Sequence, residues 1–214
     1  MDEYIKDLYE AFNSVDNEFY STETIKEPGS FFDDIMPKSK FIQQTELHFS
    51  AELYSEWRKI IKHKSEYSDL KIGFEVSKKF IENNLVKDKK KFKPDLILHQ
   101  SQINFHPDFQ KIFIEIKTNS SLNAKKISSD VKKIVFAMKQ YRFQNGVFIS
   151  VNCNETRLLT LIVEVKNIVE KITNNTENKL WENIYLFYGN NEGIKFQKKF
   201  SDIIKVEKKK VDKN

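Results

Sequence analysis

The chain has 214 residues, of which 39% are hydrophobic and 31% charged, so one compact domain with a sizeable core is expected. The net charge of +5 is modest, and the single cysteine, Cys153, excludes an intrachain disulfide and a thiolate zinc cluster. No apolar stretch approaches the roughly 18 residues of a membrane span, and the acidic start Met1 to Tyr4 has no signal core. We therefore expect a soluble, cytoplasmic protein.

The N-terminal part of the chain is predicted to be a helical extension covering residues 1–44. Apolar residues at helical spacing predict a helix over residues 4–15, and the Glu-Pro-Gly-Ser sequence at 27–30 breaks it. The apolar segment at 31–36 is expected to pack across the main domain.

The next predicted helix runs from Thr45 to Ile61, with Phe49, Leu53, Trp57 and Ile60 on one face. At a hundred degrees per residue, Glu46 falls in the middle of this apolar stripe, whereas Glu52, the alternative candidate on this helix, falls at its edge or outside it. A carboxylate directed toward the core needs a partner, and a metal site would provide one. Two readings stay open, because Glu46 also lies in the first turn, where the helix dipole favours negative charge.

Three predicted strands follow, over residues 70–81, 92–99 and 111–118. The second contains Asp95, after Pro94, and in the third Glu115 and Lys117 alternate with isoleucines that face a core. An ionised face on an apolar strand must be solvated, paired or bound to metal. Two carboxylates with a lysine beside them suit Mg²⁺ or Mn²⁺ and an attacking water, which is the equipment of phosphodiester hydrolysis.

The remaining predicted elements alternate between helices and strands. A helix begins near residue 125 or 128 and ends at Arg142, a strand covers 147–151, a helix 155–173 and a last strand 184–188. On the first of these helices, Lys133 is the leading candidate to contact a phosphate or the attacking water. Residues 198–214, rich in lysine, are predicted to be a basic tail that adds affinity for nucleic acid.

The Pro94-Asp95 pair followed by Glu115-Ile116-Lys117 resembles the motif of the PD-(D/E)XK nucleases. The resemblance covers roughly residues 45–152, about half of the chain. It implies an α/β fold with a restriction-endonuclease-like αβββαβ core, a mixed central sheet flanked by helices, in a domain that we place at 45–197. It also implies Asp95, Glu115 and the Ile116 backbone carbonyl as metal ligands, Lys117 beside the hydroxide, and Glu46 on the metal or the water.

Alternatives to this interpretation remain at the sequence level. The triplet Glu-x-Lys recurs at 164–166, 177–179 and 207–209, Asp108 offers a second Pro-Asp pair, and an ordinary hairpin with a solvated polar face would explain the same pattern. We expect a Mg²⁺- or Mn²⁺-dependent endonuclease acting on nucleic acid, with DNA favoured over RNA. The alternative is a catalytically silent binding or interaction module. Cutting both strands of a duplex would need two sites, which a homodimer would provide.

Overall fold

The computed structural model describes residues 2–20, 38–74, 94–100, 107–118, 121–173, 178–190 and 192–211. The α-helices within these ranges are α1 Glu3–Ser14, α2 Lys38–Ile61, α3 Ala124–Gln140, α4 Glu155–Thr173, α5 Asn178–Trp181 and α6 Phe200–Val211. The strands are β1 Lys71–Phe74, β2 Leu96–His99, β3 Gln110–Lys117, β4 Asn145–Val151, β5 Ile184–Gly189 and β6 Lys195–Lys199.

The strands form one mixed sheet in the order β1-β2-β3-β4-β5-β6. The pairs β1/β2, β2/β3 and β5/β6 are antiparallel, whereas β3/β4 and β4/β5 are parallel. Every residue of β4 and β5 is buried, as expected for parallel strands covered on both faces. The helix α3 connects β3 to β4, and α4 with α5 connects β4 to β5. The protein is therefore an α/β protein in which helices flank a six-stranded mixed sheet.

Each face of the sheet has its own hydrophobic core. On one face α1 and α2 pack on the sheet through Phe12, Phe49 and Trp57, all completely buried. On the other face α3, α4 and α6 cover the sheet, with Trp181 stacked on Phe200 at a centroid distance of 6.3 Å. Burial of this apolar surface on both faces is the main force that holds the sheet between the helices.

The alternation predicted for β3 is present in the structure. The isoleucines Ile112, Ile114 and Ile116 belong to the core beneath α1 and α2. Phe113 belongs to the opposite core, beside α3. Glu115 and Lys117 follow at intervals of two residues, so they share the face of Phe113. This parity directs Glu115 and Lys117 toward the face of the sheet that α3 covers.

Several boundaries differ from those predicted by the sequence. The helix expected at Thr45 begins at Lys38, so the division between residues 44 and 45 falls inside α2. The apolar segment at 31–36 and the end of the first predicted strand, from residue 75, lie outside the described residues. Among those that are described, no helix combines the length and apolar character needed to span a membrane.

The predicted basic tail differs from the structure most clearly. Its first residues belong to β6, which pairs with β5, and the following residues form α6. The side chains of Phe200, Ile203 and Ile204 are at most 6% exposed and join the core beside α4. Helical spacing collects these three apolar residues on one face, while Lys205 remains exposed. This part of the chain thus contributes to the folded domain.

Candidate active site

The candidate site lies where β3 extends beyond β2. The last pair between these strands joins Leu96 to Ile114, and Asp95 comes directly before it. The Asp95 carboxylate accepts a hydrogen bond from the Ile116 N–H at 2.6 Å, while the Asp95 N–H donates to the Ile114 carbonyl at 3.2 Å. Two backbone groups of β3 therefore fix Asp95 beside Glu115.

The carboxylate of Glu115 is completely buried. Its Oε2 atom accepts a hydrogen bond from Lys133 Nζ of α3 at 2.6 Å. Its Oε1 atom has no hydrogen-bond partner among the described residues. Burial, and secondly the negative charge of Asp95, raises the pKa of Glu115 well above its usual value. The described part of the protein thus supplies no donor to this buried acceptor oxygen.

Lys117 lies between carboxylates from the two helical layers. Its Nζ is 3.4 Å from Glu46 Oε2 of α2 and 3.7 Å from Asp130 Oδ2 of α3. Burial lowers the pKa of Lys117, but the surrounding carboxylates together outweigh burial and raise the pKa overall. Asp130 makes the largest contribution among these carboxylates. Burial raises the pKa of Glu46, an effect that Lys117 partly offsets. Lys117 is therefore held in its protonated form.

Asp130 is a site residue that the motif did not identify. It is 5% exposed, and its Oδ1 atom is 2.9 Å from Lys133 Nζ, so it contacts both lysines of the site. Two signals were present in the sequence. Asp130 precedes Lys133 by three residues on one helix face, and it precedes the buried Ile134 by four. A carboxylate in the buried stripe of a helix needs a partner, as Glu46 does.

The site has more negative than positive charge. The carboxylates of Glu46, Asp95, Glu115 and Asp130 face the ammonium groups of Lys117 and Lys133, which gives a formal charge of −2 when all are ionised. Burial, with mutual repulsion as a smaller cause, raises the pKa values of the first three carboxyl groups. Charge of this sign attracts a cation.

Comparisons with protein-family models, with curated proteins and with solved structures find no match to this chain. The geometry of the site is therefore the basis for any functional interpretation.

Within the described residues, no three His, Cys, Asp or Glu side chains lie close enough together to hold a metal ion as they stand. Instead, two lysine ammonium groups hold three of the four carboxylates.

The structure also separates the alternative residues from the site. Asp108 is exposed and lies in a 3-10 turn, Pro107–Phe109, before the first residue of β3, whereas Glu115 and Lys117 are at the other end of that strand. Glu52 lies nearly two turns further along α2 than Glu46. The structure thus brings together Glu46, Asp95, Glu115, Lys117 and Lys133, and it leaves Asp108 and Glu52 away from that group.

The backbone carbonyl of Ile116 was the remaining sequence candidate. In an extended strand, the N–H and C=O of one residue point to the same side. The Ile116 N–H reaches the Asp95 carboxylate, so the Ile116 carbonyl leaves β3 on the same side, beyond the end of β2. The carbonyl oxygen of Ile116 therefore points toward the region beside Asp95.

Proposed function

We propose that the protein is a divalent-metal-dependent nuclease that hydrolyses phosphodiester bonds, with DNA as the favoured substrate. The observation that carries the proposal is the meeting of Asp95, Glu115, Lys117 and Glu46 at one end of β3, where a buried oxygen of Glu115 has no donor among the described residues. The order α2-β1-β2-β3-α3-β4 supports it, because the PD-(D/E)XK resemblance implies a helix, three strands, a helix and a strand.

The donor set suits Mg²⁺ or Mn²⁺. Asp95, Glu115 and the Ile116 carbonyl would supply hard oxygen ligands, and zinc-type ligands are not among them. A cation at this point would give Glu115 Oε1 a partner, which no described residue provides, and would balance the formal charge of the site. When bound, the metal would supply positive charge that polarises the phosphate and acidifies a bound water.

The side chains around this position have distinct tasks in the proposed mechanism. Lys117 is held protonated, so it acts as a hydrogen-bond donor that orients the attacking oxygen and stabilises negative charge on the phosphate. Glu46, 3.4 Å from Lys117, is the acceptor that positions the water. Lys133 keeps Glu115 and Asp130 in place, and its side chain is 35% exposed, which leaves it able to contact a phosphate.

A cleavage assay tests the proposal. Supercoiled plasmid, single-stranded DNA and RNA are incubated with Mn²⁺ and with the wild-type protein, Glu115→Gln or Glu164→Gln. The control changes the same residue type in the Glu164-Val165-Lys166 triplet of α4, where the glutamate is exposed. We expect the wild type and the control to cut and Glu115→Gln to be inactive. Equal cleavage by all three proteins would assign the activity to a contaminant or to another site.

The Lys133–Glu115 ion pair favours the alternative function, a binding module without turnover. An ammonium group 2.6 Å from the carboxylate already neutralises part of the charge that a metal would neutralise. The melting temperature in the presence of Mn²⁺ distinguishes the two functions, because a ligand that binds only the folded state stabilises it. A rise that Glu115→Gln abolishes supports the nuclease. No rise in the wild type favours the binding module.

A further inference from the structure

A basic groove lies on the α2 face of the protein, away from the candidate active site. It has a volume of about 800 Å³ and is bordered by the second half of α2, the turn after it and the start of β1. Of the described residues that line it, five are basic and none is acidic: Arg58, Lys59, Lys62, Lys64 and Lys71. We propose that this groove binds the phosphate backbone of a nucleic acid strand that extends from the active site.

Three of the five basic side chains are available to an anion. Lys64 binds Asp7 at 2.7 Å and Lys59 is paired with Glu56. Among the described residues, Arg58, Lys62 and Lys71 have no ion pair with a carboxylate, and all three are exposed. Arg58 lies 5.6 Å from the centre of the Tyr54 ring, a cation–π contact beside the groove. The groove thus presents three cations that have no carboxylate partner within the described part of the chain.

The interior of the groove is less polar than its rim. Ile61, Leu70 and Ile72 are partly buried and line it together with the Tyr54 ring. Sugars and bases present apolar surface, whereas a free phosphate ion does not, and aromatic rings accept stacked bases of any sequence. Cations at the rim and apolar side chains below them therefore fit a nucleotide chain better than an isolated anion.

The distance between the groove and the active site suits one continuous ligand. Glu46 and Arg58 are twelve residues apart on α2, which corresponds to about 18 Å along the helix axis. At about 3.4 Å per base-pair step, this separation spans about five steps of B-DNA. At the sheet, Lys71 pairs with His99 at one end of β2, and Asp95 adjoins the other end. A strand bound at the active site would reach the groove within a few nucleotides.

This inference rests on the proposed function for its choice of ligand, but its test is independent of cleavage. Binding of a fluorescent 30-nucleotide DNA is measured by fluorescence anisotropy in EDTA at several salt concentrations. The wild type is compared with the groove variant, Arg58→Ser/Lys62→Ser/Lys71→Ser. If all three cations contact phosphates, the plot of log K for DNA binding against log salt concentration becomes less steep in the variant, its slope decreasing in magnitude by about 2–3. The affinity of the variant at low salt then falls at least about 10-fold.

A matched control removes one arginine and two lysines from the opposite side of the sheet. Lys139, Arg157 and Lys179 are exposed on α3, α4 and α5, so Lys139→Ser/Arg157→Ser/Lys179→Ser makes the same change in charge elsewhere. Melting temperatures equal to that of the wild type would exclude loss of folding in either variant.

A larger loss of affinity and of salt slope in the groove variant than in the control supports the groove. Equal losses in the two variants, or no DNA binding by the wild type, would overturn it. Cleavage by the wild type with unaltered DNA binding by the groove variant would refute the groove alone. If the groove variant binds DNA more weakly but the wild type cleaves no substrate, the proposed nuclease activity alone would be refuted.

Discussion

Glu115→Gln is expected to stabilise the metal-free protein, although it removes a residue that we place at the centre of the active site. Glu115 is completely buried, and one of its oxygens has no donor among the described residues. Leaving a buried polar group without a partner costs about 1–3 kcal/mol, and more when the group is charged. Glutamine has almost the same shape and keeps an oxygen for Lys133, which also retains Asp130, and its uncharged amide removes both the cost of burying a charge and the repulsion from Asp95.

The expected gain in the free energy of unfolding is about 2 kcal/mol at neutral pH. For a chain of this length, about 1 kcal/mol shifts the melting temperature by about 2–4 °C, so we expect a rise of about 4–8 °C. The assay is thermal unfolding followed by circular dichroism in EDTA, with the exposed Glu164→Gln as the control.

The pH dependence of this difference has a definite sign. Burial raises the pKa of folded Glu115 above the unfolded value near 4.5, so the folded state holds the proton more tightly. Ionisation therefore costs stability as the pH rises from the unfolded toward the folded pKa. We expect the two melting temperatures to be close at pH 4 and to diverge as the pH rises. A variant less stable than the wild type at pH 8 would refute the reasoning, because the Lys133 ion pair would then outweigh the cost of burial.

Three further predictions concern α3 and its packing. Asp130→Asn should lower kcat about 10- to 100-fold with little change in KM, because it loosens both lysines, and Asp130→Glu should restore part of the loss. Lys133→Met should lower the melting temperature in EDTA yet enlarge the rise produced by Mn²⁺, since the metal would no longer compete with an ammonium group for Glu115. Gly146→Ala should destabilise the protein by about 1–3 kcal/mol in urea denaturation, because its methyl group would overlap a side chain of α3.

Alternation along β3 was the part of the site that the sequence predicted best. Two residues per repeat place Glu115 and Lys117 on one face without knowledge of any other element. The hundred-degree period similarly directed Glu46 inward, and in the structure it approaches Lys117. Such local periodicities depend only on backbone geometry, which is why they were readable from one chain.

The parts that the sequence did not predict depend on tertiary packing. The role of Asp130 as a link between two lysines arises only when α3 lies across the end of β3. For β6 and α6, the abundant lysines suggested a solvated tail, although Phe200, Ile203 and Ile204 follow the spacing of a helix face. In that segment composition was a poorer guide than the positions of three apolar residues.

The hydrogen bond from the Ile116 N–H to Asp95 makes the site sensitive to the spacing between Asp95 and β2 rather than to the composition of β2. Asp95 and Ile97 are two positions apart and therefore share one face, so inserting one residue between Asp95 and Leu96 would turn the carboxylate to the opposite side. The hydrophobic pairs of β2 with β3 would survive such an insertion unchanged. Selection on this segment would therefore tolerate exchanges among apolar residues and reject a change in length by one.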